Sequence, residues 1–188
     1  MMGLRKAVIA MAAVSAAGLT LLTGTGGAAQ RGSFVKGGSG VVSTHGVGRQ
    51  HFESSTPASI RAFAGRPDSI VYWNKLGQPT GRSHAVWQLW TYSFGGGGYA
   101  RYSFHGGAGR WVFSRFDTDR KNFLTVRGTR VGMTYSQAKR RERVPFMGGC
   151  IDSGFWHFRG QRYAYIVGVN RGQRVHALHA YGPGQPLC

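Results

Sequence analysis

From His84 to Phe94 the side chains alternate one by one. Val86, Gln88, Trp90, Tyr92 and Phe94 fall on one face of a strand, and Trp87, Leu89, Thr91 and Ser93 on the other. Ser69–Trp73, β-branched and aromatic, reads as a strand before it, joined through a turn at Gly77-Gln78-Pro79. Gly95–Gly98 and Gly106–Gly109 are further turns, and they set off strands over Tyr99–Phe104 and Arg110–Phe116. Ahead of this meander the period changes. Thr56 can cap a helix and Pro57 suits its first position, while Ile60, Phe63 and Ala64 share one face. Gly65 and Pro67 then end a helix of about two turns over 57–64.

The second half follows the same order. Thr134 and Gln137 form a capping box for a helix from Tyr135 to about Arg143, which Pro145 stops. Strands are expected at Phe155–Phe158, Tyr163–Val169 and Arg174–Tyr181. Helix followed by strands, twice over, predicts an α+β protein. It would consist of two tandem repeats, 45–117 and 118–188, each a short helical segment packed on a small antiparallel β-sheet.

The amino end carries a different pattern. Arg5 and Lys6 precede an apolar run from Ala7 to about Thr23, and Gly27-Ala28-Ala29 supplies small residues before Gln30. This is the pattern of a secretory signal peptide over 1–29, with export after cleavage near Ala29 as the expected outcome. Retention as an anchor is the alternative, although the run falls short of the roughly 20 residues of a span. Residues 30–44, rich in Gly and Ser and without periodicity, read as a flexible leader. In an exported chain the two cysteines, Cys150 and Cys188, read as a disulfide.

Charge narrows the partners. The 188 residues hold 24 Lys+Arg against 6 Asp+Glu, a formal net charge of +18. Such a field favours acidic polymers or acidic protein surfaces. Arg outnumbers Lys 19 to 5 in a Gly- and Ala-rich chain, a balance that GC-rich codon usage also produces. The six acids, Glu53, Asp68, Asp117, Asp119, Glu142 and Asp152, form no local pair or loop motif. Calcium loops and glycosidase-type dyads therefore have little to build on.

The line Arg127-Gly128-Thr129-Arg130-Val131-Gly132-Met133-Thr134-Tyr135-Ser136-Gln137-Ala138 holds a V-G-M-T signature. The first half has a blurred counterpart in Gly46-Val47-Gly48, Thr56–Ile60 and Ala64–Asp68. These stretches resemble the repeats of secreted β-lactamase-inhibitor proteins and of SmpA/OmlA-type envelope lipoproteins. The resemblance covers about 46–181 as a plan and a dozen positions in detail. It implies a helix-plus-sheet repeat and a non-catalytic, inhibitor-like protein-binding module, and it carries over no functional residue. Two features depart from the pattern: only the second half has cysteines, and the chain is strongly basic.

Read as chemistry, the residues give few constellations. His176 and His179, three apart in a strand, are expected on opposite faces, which rules out joint metal ligation. A nuclease could draw on Glu53, Glu142, His105 or His157 with Arg115 or Arg159, but no spacing selects them, and no G-x-S-x-G elbow is present. Glu142 sits among Lys139, Arg140, Arg141 and Arg143, so that helix face is expected to be solvated. Those four bases are the candidate contact for an anionic polymer. Trp87, Trp90, Tyr92, Tyr102 and Trp111 are the candidate partner-binding aromatics of an exposed sheet surface. No catalytic residue, cofactor or metal ligand is assigned. The expected function is a secreted binding module for a protein or cell-envelope partner. A secreted basic nuclease or hydrolase, or a polyanion binder, is the alternative.

Overall fold

The computed structural model describes residues 35–107, 109–149, 152–170 and 173–183. The expected signal segment therefore lies outside the described residues, as do Cys150 and Cys188. No helix among the described residues is long and apolar enough to cross a membrane.

Both helices begin where their caps predict. In α1 (Pro57–Ala64) the Thr56 hydroxyl accepts from the Ser59 N–H, and the Ser59 hydroxyl accepts from the Thr56 N–H. In α2 (Tyr135–Glu142) Thr134 and Gln137 close the same reciprocal box, and Arg143 ends the helix at φ 55°. Each helix is eight residues long, about two turns and roughly 12 Å.

Strands dominate what remains. A four-stranded sheet contains, in spatial order, β3 (Gln50–His51), β2 (Gly46–Val47), β1 (Gly40–Ser43) and β8 (Phe123–Thr125), with β1 and β8 parallel. The eight-stranded sheet is antiparallel throughout. One meander, β4 (Ser69–Trp73), β5 (Trp87–Ser93), β6 (Tyr99–Gly107) and β7 (Arg110–Thr118), meets a second. That second meander is β9 (Phe146–Met147), β10 (Gly154–Arg159), β11 (Tyr163–Val169) and β12 (Val175–Tyr181), and the two last strands, β7 and β12, pair at the centre.

Among the described residues strand makes up 46% and helix 15%. The protein is thus mostly β, which overturns the expected α+β class with tandem helical repeats. Two-turn helices cannot cover a sheet this wide, so β1 and β2 complete the layer by packing on β7, β11 and β12. Residues 35–44 belong to this layer, not to a flexible leader. Val42 is fully buried, the Tyr102 hydroxyl donates to the Gly37 carbonyl at 2.7 Å, and Asn122 Nδ2 donates to the Gly38 carbonyl.

One face of the large sheet forms the core with this layer. Trp90, Tyr92, Tyr102, Phe104, Phe113, Phe116, Phe155, Val167 and Leu178 lie on it, almost fully buried. Alternation fails at two bulges. On β7, Ser103 pairs with Arg115 but Phe104 pairs with Phe113, so Ser114 is the extra residue. Phe113 and Phe116, three apart, consequently both face the core, and Arg115 and Asp117 face the other way. On β12 a second shift separates the Gly168–Ala177 pair from the Val169–Val175 pair.

Candidate functional site

The face of the large sheet away from the core carries the polar chemistry. Cross-strand register lays its side chains in rows. One row runs Trp156, Ile166, His179, Asp117 and Arg101; its neighbour runs Phe158, Ala164, Tyr181, Arg115, Ser103 and Leu89. The two bulges, one in each central strand, fix which residues reach this face.

Arg115 and Asp117, two apart on β7, point the same way and form a bidentate pair, with Nε to Oδ2 at 2.7 Å and Nη2 to Oδ1 at 2.9 Å. His179 on the adjacent strand sets Nδ1 2.7 Å from Asp117 Oδ1 and Nε2 3.3 Å from Asp152 Oδ2. His176 Nε2 is 2.9 Å from that same Asp152 oxygen. The β12 bulge therefore puts His176 and His179 on one carboxylate, correcting the expectation of opposite faces. Strict alternation was the wrong premise, because an extra residue reverses parity. Tyr181 flanks the cluster, its ring under the Arg115 guanidinium at 4.9 Å and beside the His179 ring at 6.3 Å.

Burial and pairing pull the ionisations in opposite directions. Burial raises the Asp117 pKa, but the His179 hydrogen bond and Arg115 outweigh it and hold the carboxyl below its usual value. Asp152 behaves likewise: burial works against ionisation, and His179 and His176 more than offset it. For His179 burial favours the neutral ring, yet the two carboxylates raise its pKa to about 8. With an anion at each ring nitrogen, His179 is held as a cation bridging two anions. It has no free lone pair with which to take a proton from a substrate. Among the described residues no group of three or more His, Cys, Asp or Glu side chains is placed to hold a metal ion.

Beside the cluster a shallow groove of about 320 Å³ is lined by Trp73, Trp87, Leu89, Arg101, Ser103 and Arg115. Arg101 is exposed, with its guanidinium 4.4 Å from the Tyr99 ring centroid. Phe158 is 51% exposed at the other end of the face. Of the five aromatics expected to meet a partner, Trp87 alone lies here. Trp90, Tyr92, Tyr102 and Trp111 are 8% exposed or less and belong to the core face. They occupy the inward positions of the alternation, and for Trp111 the β7 bulge sets the side. Arg101, Arg115, Asp117, Asp152, His176 and His179 were not singled out as one site. The alternation that places Trp87 and Leu89 outward extends across the β5–β6 register to Arg101 and Ser103, a legible signal for those two.

The nuclease candidates do not gather at one site, although Glu53 and His105 line one groove with Arg110, and Arg159 lies over the Tyr163 ring. Glu53 accepts from the Tyr163 hydroxyl at 2.6 Å, His105 lies against the Trp87 ring, and Arg115 belongs to the open face. Glu142 and His157 do meet, Nε2 to Oε2 at 2.8 Å, but buried beneath α2. Glu142 itself is fully buried, which corrects the expectation that it shares the solvated face. Lys139, Arg140, Arg141 and Arg143 around it are exposed; Arg141 donates to the Gly128 carbonyl and Lys139 sits over the Tyr135 ring at 5.9 Å. No protein-family model matches the chain, and no curated protein or solved structure matches it either.

Proposed function

We propose that this is an exported, non-catalytic binding protein that docks a protein partner outside the membrane on the open face of its large sheet. One observation carries the reading. Arg115, Asp117, His179, Asp152 and His176 are engaged with one another on that face, whereas Trp87, Leu89, Arg101 and Phe158 remain turned outward around them. Aromatic and aliphatic side chains supply contact area in such an interface. Arginine supplies geometry and steering toward acidic groups on the partner, helped by the strong excess of Lys and Arg over Asp and Glu. A paired, rigid ionic cluster beneath those contacts keeps the surface preorganised.

Affinity capture tests this, with the chain from Gln30 onward as bait against the producer's secreted and envelope fractions at low and high salt. The expected result is one protein retained at both salt levels by the parent chain. The double variant Trp87→Ala/Arg101→Glu should lose it, and Arg140→Gln/Arg143→Gln should keep it. The opposite pattern, material held at low salt and lost with the α2 variant, would replace the reading with polyanion binding. That second reading rests on Arg140 and Arg143, whose side chains are exposed and have no hydrogen-bond partner among the described residues. Retention unchanged in both variants would sink the docking face.

A further inference from the structure

On the core side of the same sheet, the covering layer stops short of the edge. Between the outer flank of α1 and strands β4, β5 and β7 this leaves a groove of about 540 Å³. Its floor is aromatic: Tyr72 and Trp111 with ring centroids 6.4 Å apart, and Trp90 alongside. Gln88 Oε1 accepts from Trp90 Nε1 at 3.0 Å, which fixes the indole and leaves the Gln88 amide N–H groups as donors. Two guanidinium groups stand over this floor. Arg61, on the last turn of α1, lies 5.4 Å from the Trp90 ring centroid. Arg82 rises from an exposed helical turn at Arg82–His84. None of the described residues lining the groove is acidic, and neither guanidinium has a carboxylate partner among the described residues.

Charge and shape together select a ligand. Two unpaired forks of N–H donors match a planar carboxylate, which accepts bidentate bonds. The aromatic floor favours a ring with an apolar face. We propose that this groove binds a ring bearing a carboxylate, with the ring against Tyr72 and Trp111 and the carboxylate against Arg61 and Arg82. Two sources offer this chemistry: a uronic acid residue of an acidic polysaccharide, or a free aromatic acid. The groove lies on the opposite side of the sheet from Trp87 and Arg101, so it stands apart from the docking face.

Tryptophan fluorescence of the chain from Gln30 onward reads the site, because Trp90 and Trp111 line it. Trigalacturonate and phenylacetate are titrated beside their neutral counterparts, maltotriose and phenylacetamide. One of the two acids should give a saturable change, at least tenfold tighter than its neutral counterpart, and the tighter acid identifies the source. Arg82→Gln, on an exposed turn, should keep the parent melting temperature and weaken the acid about tenfold. Trp87→Ala/Arg101→Glu should bind the acid as the parent does, so failure here and failure of the docking face are told apart. The proposal is overturned if neither acid saturates by about 10 mM, if the neutral compounds match the acids, or if Arg82→Gln leaves affinity unchanged.

Discussion

Replacing His179 with alanine is expected to destabilise the fold by about 3–5 kcal/mol, among the largest losses any single side chain here would cause. Its ring joins two carboxylates from different parts of the chain, one on β7 and one in the segment before β10. Asp117, 7% exposed, would keep only Arg115 as a charged partner, and Asp152 would keep only His176. A buried carboxylate stripped of a partner loses more than the pair itself contributes. His179→Gln retains a donor without the charge, so its loss should be smaller. The same group sets a pH dependence. Its pKa rises from 6.5 to about 8 on folding, so the protonated ring stabilises the fold by about 2 kcal/mol. That contribution is complete below pH 6.5 and disappears as the pH climbs through 8. Asp117 and Asp152 act at the other end: their pKa values are lowered, so their contribution holds above the ordinary carboxylate range and fades as the pH drops below it. Urea denaturation at pH 6 and pH 9 should show the parent losing stability at the higher pH, with a much flatter response in His179→Gln. A parent equally stable at both values would dismiss the bridging cation.

That cluster also shows what the sequence concealed. Local rules carried well wherever the governing contacts were local. Thr56, Pro57 and Gly65 bounded α1 to the residue, Thr134 and Gln137 opened α2, and Gly-rich turns separated the strands of both meanders. Alternation in β5 correctly put Gln88, Trp90 and Tyr92 on one face but did not say which way that face turns; it is buried, against the expectation that Trp90 and Tyr92 meet a partner. Failure came where a residue's surroundings are set by a distant strand. Bulges on β7 and β12 reverse parity without any mark in the composition, so Asp117 meets His179, 62 positions away, through pairing that no window contains. The strands β1, β2 and β3 are two to four residues long and sit in Gly-rich sequence, below any useful periodicity. Their packing nevertheless closes the core and makes the protein mostly β. The open face was thus only partly visible: Trp87 was expected to meet a partner, but alongside four aromatics that turn out buried, and its ionic neighbours emerge only through topology.

Glu142 gives the sharpest contrast between sequence context and surroundings, and its replacement by alanine should cost a similar 3–5 kcal/mol. Its neighbours Arg140, Arg141 and Arg143 describe a solvated helix end, where such a change usually moves stability by no more than about 0.5 kcal/mol. The last residue of α2 instead turns inward. Oε1 accepts from the Thr125 hydroxyl at 2.7 Å and Oε2 from the Tyr165 hydroxyl at 3.0 Å. His157 Nε2 stands 2.8 Å from the second oxygen, off the line of a hydrogen bond, with its ring stacked 4.3 Å from Tyr165. Burial alone would keep this carboxyl protonated; the His157 ring beside it and the hydroxyls around it, Thr125 and Tyr165 among them, outweigh that and lower its pKa. Removing it would leave two hydroxyl donors facing a cavity, with helix, small sheet and large sheet no longer joined at one point. Glu142→Gln, which preserves shape and one acceptor, should cost about 1–2 kcal/mol. Combined with Tyr165→Phe, Glu142→Ala should show a coupling of about 1 kcal/mol in a double-mutant cycle, since the two changes delete one shared bond. Arg140→Ala is the control and should leave the urea midpoint nearly unmoved. A Glu142→Ala variant as stable as that control would place the side chain in solvent and separate α2 from the sheet it caps.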